Sequence, residues 1–99
     1  MVIIWTDPAI EDLHNIFAYI ALESRFYAQK VVDEIIEKAE SVTPFPEKGR
    51  MVPELQDENI REVFVYSYRI IYELVKDTIQ IDAIIHGRQD FENAFSREE

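Results

Sequence analysis

Three different spacings of apolar residues follow one another along the chain. Val2–Trp5, VIIW, is a short unbroken apolar run and predicts a buried strand. Thr6-Asp7-Pro8 then reads as a helix start. Asp7 can accept from orphan N–H groups, and Pro8 fits the first helical position. Ala9, Ile10, Leu13, Ile16, Phe17 and Ile20 recur at steps of three and four, which makes one amphipathic stripe. Glu11 and Asp12 fall in the first turn, where the helix dipole favours anions. Glu23-Ser24-Arg25 breaks the stripe, and Ser24 can cap a second helix. Ala28, Val31, Val32, Ile35, Ile36, Ala39 and Val42 carry the stripe of that helix. So short a break predicts an antiparallel helical hairpin.

Thr43–Leu55, TPFPEKGRMVPEL, holds three of the four prolines and one of the two glycines, and predicts a surface loop without regular structure. From Ile60 the period becomes two. Ile60–Tyr66, Tyr68–Lys76 and Ile79–His86 read as three strands joined by tight turns at Ser67 and Asp77-Thr78. Asp90–Phe95 reads as a short helix or tail, and Ser96–Glu99 as a frayed end. The predicted class is α+β, in the order β-α-α-β-β-β. A helical hairpin packs on one face of a mainly antiparallel four-stranded sheet.

Length and composition narrow the function classes. With 99 residues, 1–99 is expected to be a single domain. The chain has no cysteine, which excludes disulfides and zinc–thiolate sites. No apolar run approaches the ~20 residues of a membrane span. The N-terminus MVIIWTDP carries no basic leader, so a cytoplasmic protein is expected. The net charge of −10 opposes a broad grip on nucleic acid, which needs Lys and Arg. The cations are unevenly spread. Residues 1–47 hold three against nine acids, and residues 48–91 hold six against eight. Four of those six are arginines, whose planar fork suits phosphate or carboxylate.

Alternation along the last two strands assigns faces. Tyr68, Ile70, Tyr72 and Leu74 point one way, and Arg69, Ile71, Glu73 and Val75 the other. Ile79, Ile81, Ala83 and Ile85 form an apolar face opposite Gln80, Asp82, Ile84 and His86. A two-residue turn at Asp77-Thr78 pairs Arg69 with His86. A slip to Lys76-Asp77 puts Arg69 opposite Ile84, with His86 diagonal to it. Either register predicts Arg69 and His86 together on the face away from the helices. Arg61 falls on the helix side if the preceding turn has two residues, or beside Arg69 if it has three. Arg50 and Glu54, in the loop before that strand, can reach the same open face.

Arginines, a histidine and a carboxylate on one surface suit a phosphate site. The arginines would stabilise phosphoryl charge and the histidine would move a proton near neutral pH. A solvated face with charge pairs such as Arg69 with Glu73 or Asp82 accounts for the same pattern. His14 reads as simply exposed, and Glu11, Asp12 and His14 lack the i, i+4 spacing of a helical metal site. Tyr19, Phe26 and Tyr27 cluster at the helix junction and read as packing there. With two glycines and no P-loop or GxGxxG, a glycine-cradled nucleotide site is not expected.

Several stretches together resemble the RelE/ParE toxin superfamily of plasmid stabilisation proteins. They are IIWTDPAIEDLHNIFAYIA, TPFPEKGRMVPEL, IREVFVYSYRIIYELV and IDAIIHGRQDF, in that order and over nearly the whole chain. The resemblance implies a β-α-α-β-β-β toxin of a type II toxin–antitoxin system, neutralised by a cognate antitoxin. RelE-like members are metal-independent, cofactor-free ribonucleases (mRNA interferases) that cut mRNA on the ribosome through 2′-OH attack. ParE-like members bind DNA gyrase instead. Carried over by position, Arg69 in YRIIY matches the arginine aimed at the scissile phosphate. Glu54 in VPEL resembles the general base, and His86 falls where the general acid is expected. Arg61 and Arg88 would be further phosphate ligands, and Arg50 another substrate contact. The chain departs from the nuclease pattern in its acidity, in having only Lys48 as a loop lysine, and in Phe91, which cannot transfer a proton. The ending IIHGR.DF is commoner among ParE-like sequences. The resemblance thus leaves three readings: an endonuclease toxin, a gyrase inhibitor, or a non-toxic relative that acts only by binding protein.

Overall fold

The structure, a computed structural model, describes residues 1–87 and 91–95, the latter without the side chain of residue 93. The first strand, β1 (Val2–Trp5), runs into helix α1 (Asp7–Ala21). Thr6 rather than Asp7 is the cap. Its hydroxyl accepts from the Ala9 N–H at 3.3 Å and donates to the Ile81 carbonyl at 2.9 Å, so one side chain starts the helix and ties it to the sheet. Helix α2 (Arg25–Glu40) is capped as expected by Ser24, whose hydroxyl accepts from the Tyr27 N–H at 3.0 Å. The two helices form the predicted hairpin. Ala9 and Leu13 of α1 and Ala28, Val31, Ile35 and Ala39 of α2 are buried.

The sheet has five strands, not four. Arg50–Met51 forms β2, which pairs antiparallel with β3 (Ile60–Val65) through Arg50–Glu62 and Met51–Arg61. The order is β1-β5-β4-β3-β2, with β4 spanning Tyr68–Val75 and β5 spanning Thr78–His86. Only the β1–β5 pair is parallel among these strands. The proline-rich loop is thus partly ordered, for a local reason. The Tyr72 hydroxyl accepts from the Gly49 N–H at 2.9 Å and donates to the Pro46 carbonyl at 2.8 Å. A Cβ at Gly49 would lie 2.6 Å from both the Glu62 carbonyl oxygen and the Tyr72 hydroxyl, so only glycine fits so close to its neighbours.

The turns are also more specific than alternation suggests. Val65 pairs with Tyr68 and Val75 with Thr78, so both hairpins have two-residue turns, Tyr66-Ser67 and Lys76-Asp77. Tyr66 (φ 53°) and Lys76 (φ 56°) are left-handed, as such turns require. The register of β4 and β5 then shifts. Ile71 faces Ala83 while Tyr72 faces Ile81, which leaves Asp82 as an extra residue in β5. This bulge exchanges the faces of everything after it. Ile79, Ile81 and Ile84 lie in the core under the helices with Ile70 and Tyr72. Ala83 and Ile85 instead join Ile71, Val52 and Phe91 in a second cluster on the opposite face. That face, expected to be open, is covered in part by Leu55 and by a short helix, α3 (Phe91–Phe95).

Candidate functional site

Arg69, one residue into β4, projects from the face opposite the helical hairpin. Its neighbour across β3 is Phe64, and Glu62 lies two residues further along that strand. The Arg69 guanidinium is shared between two carboxylates. Its Nη1 and Nη2 donate to the two Glu54 oxygens at 3.0 and 2.8 Å, a bidentate pair. Its Nε donates to Glu62 Oε1 at 2.7 Å. Glu62, only 1% exposed, accepts from Arg50 Nε at 2.6 Å through its other oxygen. Charges therefore alternate along a chain, Arg50–Glu62–Arg69–Glu54. The Arg69 carbon Cζ lies 5.0 Å from the centre of the Phe91 ring, and that of Arg50 lies 5.1 Å from Phe64.

The electrostatics follow from this geometry. The Arg69 hydrogen bond holds the Glu54 carboxyl below its ordinary range, against a smaller opposing effect of burial. Arg69 is pushed up in turn, by Glu54 first and by Glu62 as well. A cleft of about 400 Å³ lies beside the chain of charges, between Arg50, Glu54, Phe64, Arg69 and the residues of the Tyr66-Ser67 turn. Arg50 is largely exposed at its mouth.

The expected site residues are only partly brought together. Arg50, Glu54 and Arg69 meet. His86 does not meet them as expected. The Asp82 bulge turns it to the side of Tyr68, its partner across the strands, with the two rings edge to face at 5.4 Å. His86 also borders the 400 Å³ cleft, but it lines a second cleft with Asp12, Tyr19 and Tyr68 on the helix side. The expectation of an arginine and a histidine on one face is thus corrected, because neither considered register included the inserted residue. Arg61 lies on the helix side, paired with Tyr72. Its guanidinium donates to the carbonyls of Glu58 at 3.0 Å and Gly49 at 2.9 Å, and so pins the loop rather than joining Arg69. Arg88 lies outside the described residues. The charge pairing of Arg69 is real, but with Glu54 and Glu62 in place of Glu73 or Asp82.

Glu62 and Phe91 are the members that the sequence reading missed. Glu62 alternates with Ile60 and Phe64 on β3 and stands diagonal to Arg69, which is the signal that could have found it. Phe91 follows the last strand and gives no periodic signal. Among the described residues no group of three or more His, Cys, Asp or Glu could hold a metal ion, and no helix is long and apolar enough to cross a membrane.

A family model described as the ParE toxin of the type II toxin–antitoxin system parDE matches residues 3–91. The chain belongs to the ParE toxin family. A solved structure, titled "Chromosomal ParDE TA system from P. aeruginosa", shares the fold with a TM-score of 0.73. It is 24% identical, and the match covers 87% of this chain and 95% of that one. No curated protein matches the sequence significantly. Membership makes the protein the toxin of a parDE-type pair, with an antitoxin as its partner. Five strands under a helical hairpin are the form that fold takes here.

Proposed function

We propose that this ParE-family toxin acts by binding a protein target, DNA gyrase, and not by cutting RNA. One observation carries the reading: the donors of Arg69 are directed at Glu54 and Glu62, while His86 meets the Tyr68 ring edge to face. A phosphate would have to displace a bidentate carboxylate to reach that arginine. Glu54, held below its ordinary range by the same contact, is a weaker base than a free carboxylate. His86 reaches the rim of the same cleft, but its ring is held edge to face against Tyr68. The net charge of −10 adds repulsion against RNA and ribosome alike.

The test compares two assays on one preparation. Purified gyrase is expected to lose supercoiling activity with the toxin added, while mRNA on ribosomes stays intact. The proposal fails if mRNA is cut to cyclic-phosphate ends and Arg69→Ala abolishes the cleavage.

A further inference from the structure

The loop that follows α2 holds a phenylalanine out in the open. Phe45, between Pro44 and Pro46, is 70% exposed. The loop that carries it is nevertheless fixed. The Phe45 N–H donates to the carbonyl of the buried Val42 at 3.0 Å, and the Phe45 carbonyl accepts from the Lys48 N–H at 2.8 Å. Arg61 donates to the Gly49 carbonyl, and Lys48 Nζ donates to Ser41 Oγ at 3.1 Å. The hydroxyl of Tyr72 holds the loop at Pro46 and Gly49, and each proline locks its own φ. An aromatic side chain on so fixed a loop loses little freedom when it meets a partner, which is the property of a good anchor.

An apolar cleft of about 560 Å³ opens beside this side chain, between Met1, Phe45, Pro46 and Leu74. Lys48, Lys76 and Glu47 also border it, and all three are exposed. A single exposed apolar residue needs no explanation, but one presented rigidly at the lip of an apolar cleft does. The cleft lies at the end of the sheet made by the Lys76-Asp77 turn, where α2 finishes. The turn of the helical hairpin is at the other end of α2, 16 residues or about 24 Å away.

Charge selects the occupant. Three of the four lysines gather at this end of the molecule: Lys38 in the last turn of α2, Lys48 in the loop and Lys76 in the β4–β5 turn. The cleft itself is bordered by two lysines and one glutamate, in a chain of net charge −10. Residues 7–36, by contrast, hold six carboxylates against two cations. An enzyme that works on DNA carries bound phosphates, which repel so acidic a chain. The end that holds the lysines approaches such a complex with the least repulsion. An apolar centre with a charged rim is also the anatomy of a specific protein interface.

We propose that the Phe45 loop and the cleft beside it form the surface with which this toxin docks on DNA gyrase. The proposal rests on the gyrase reading of the previous subsection and names the surface that serves it. Phe45 enters an apolar pocket of the enzyme, and Lys48 and Lys76 meet carboxylates around that pocket. The Arg50–Glu62–Arg69–Glu54 chain takes no part in the contact and only holds the sheet from which the loop is hung.

The experiment titrates purified toxin into a gyrase supercoiling assay and reads the concentration that halves activity. Phe45→Ala and the Lys48→Glu/Lys76→Glu double variant alter exposed side chains, and circular dichroism checks that both keep the fold. Phe45→Ala is expected to raise the half-inhibiting concentration about 30-fold or more. The lysine double variant is expected to raise it most at low salt, with the difference shrinking as salt is added. A half-inhibiting concentration unchanged within threefold for a folded Phe45→Ala overturns the proposal. It does so equally if that variant loses antitoxin affinity or self-association instead, because the surface then serves another partner. A wild-type toxin inert towards gyrase is a different result: it removes the reading of the previous subsection, and this surface assignment with it.

Discussion

Tyr68 and His86 face each other across β4 and β5, with their rings nearly perpendicular at 87°. Arg69, the next residue after Tyr68, points to the other face and pairs with Ile85. The histidine and the arginine therefore leave the sheet on opposite faces, although both border the 400 Å³ cleft. Asp82 is the cause of this separation.

Deleting Asp82 tests the register. Removal of the extra residue leaves Ile81 opposite Tyr72 and Ala83 opposite Ile71, so plain alternation keeps Ile84 and His86 on the helix side and Ala83 and Ile85 on the face of Arg69. Both clusters that hold the sheet are expected to persist. The expected cost is about 0.5–3 kcal/mol, read from a thermal melt that stays cooperative. Loss of the cooperative transition on deletion would show that Asp82 is not the extra residue.

Arg69 is expected to be a stability residue before anything else. Replacing it with Ala leaves Glu62 buried with one of its two arginines gone and releases Glu54. Losing one partner of a buried pair costs about 3–5 kcal/mol. Urea unfolding of Arg69→Ala measures it. The companion Arg69→Met/Glu62→Leu, which removes both charges, is expected to recover most of the loss.

The anchor of the loop on β4 gives a smaller effect. Tyr72→Phe removes the acceptor of the Gly49 N–H and the donor to Pro46, at about 1–3 kcal/mol. Gly49→Ala forces a Cβ against the Glu62 carbonyl oxygen and is expected to cost about 1–3 kcal/mol. Thermal melts of both variants check these values. Hydrogen exchange is expected to be faster at residues 49–52 in each.

Glu54 sets a pH dependence with a definite sign. Its folded value is lowered by Arg69, so its contribution is present above the ordinary carboxyl value of 4.5 and is lost as pH falls through the lower folded value. Stability is thus expected to decline below about pH 4.5, and Glu54→Gln is expected to flatten that decline. The effect is modest, because the Glu54 side chain is partly exposed and water screens the pair. Denaturant midpoints measured between pH 3 and 6 test it.

The two long helices were legible from their stripes and from Ser24, although the cap of α1 is Thr6 and not Asp7. Both hairpins were legible from alternation, and the family from the joint pattern of the loop and strands. Three things were not. The bulge carries no glycine or proline to mark it, and IDAII alternates too weakly to betray an extra residue. The pairing of β2 depends on the Tyr72 hydroxyl, more than twenty residues away in sequence. The engagement of Arg69 by Glu54 and Glu62 depends on that same folded loop, so an arginine available for ligand and one already satisfied look alike in the sequence.

The sheet begins and ends on very short strands, four residues in β1 and two in β2. Its outermost backbone rows thus give another chain little length on which to add a strand and grow into an aggregate. Brevity at both borders therefore limits edge-to-edge growth between copies of the chain.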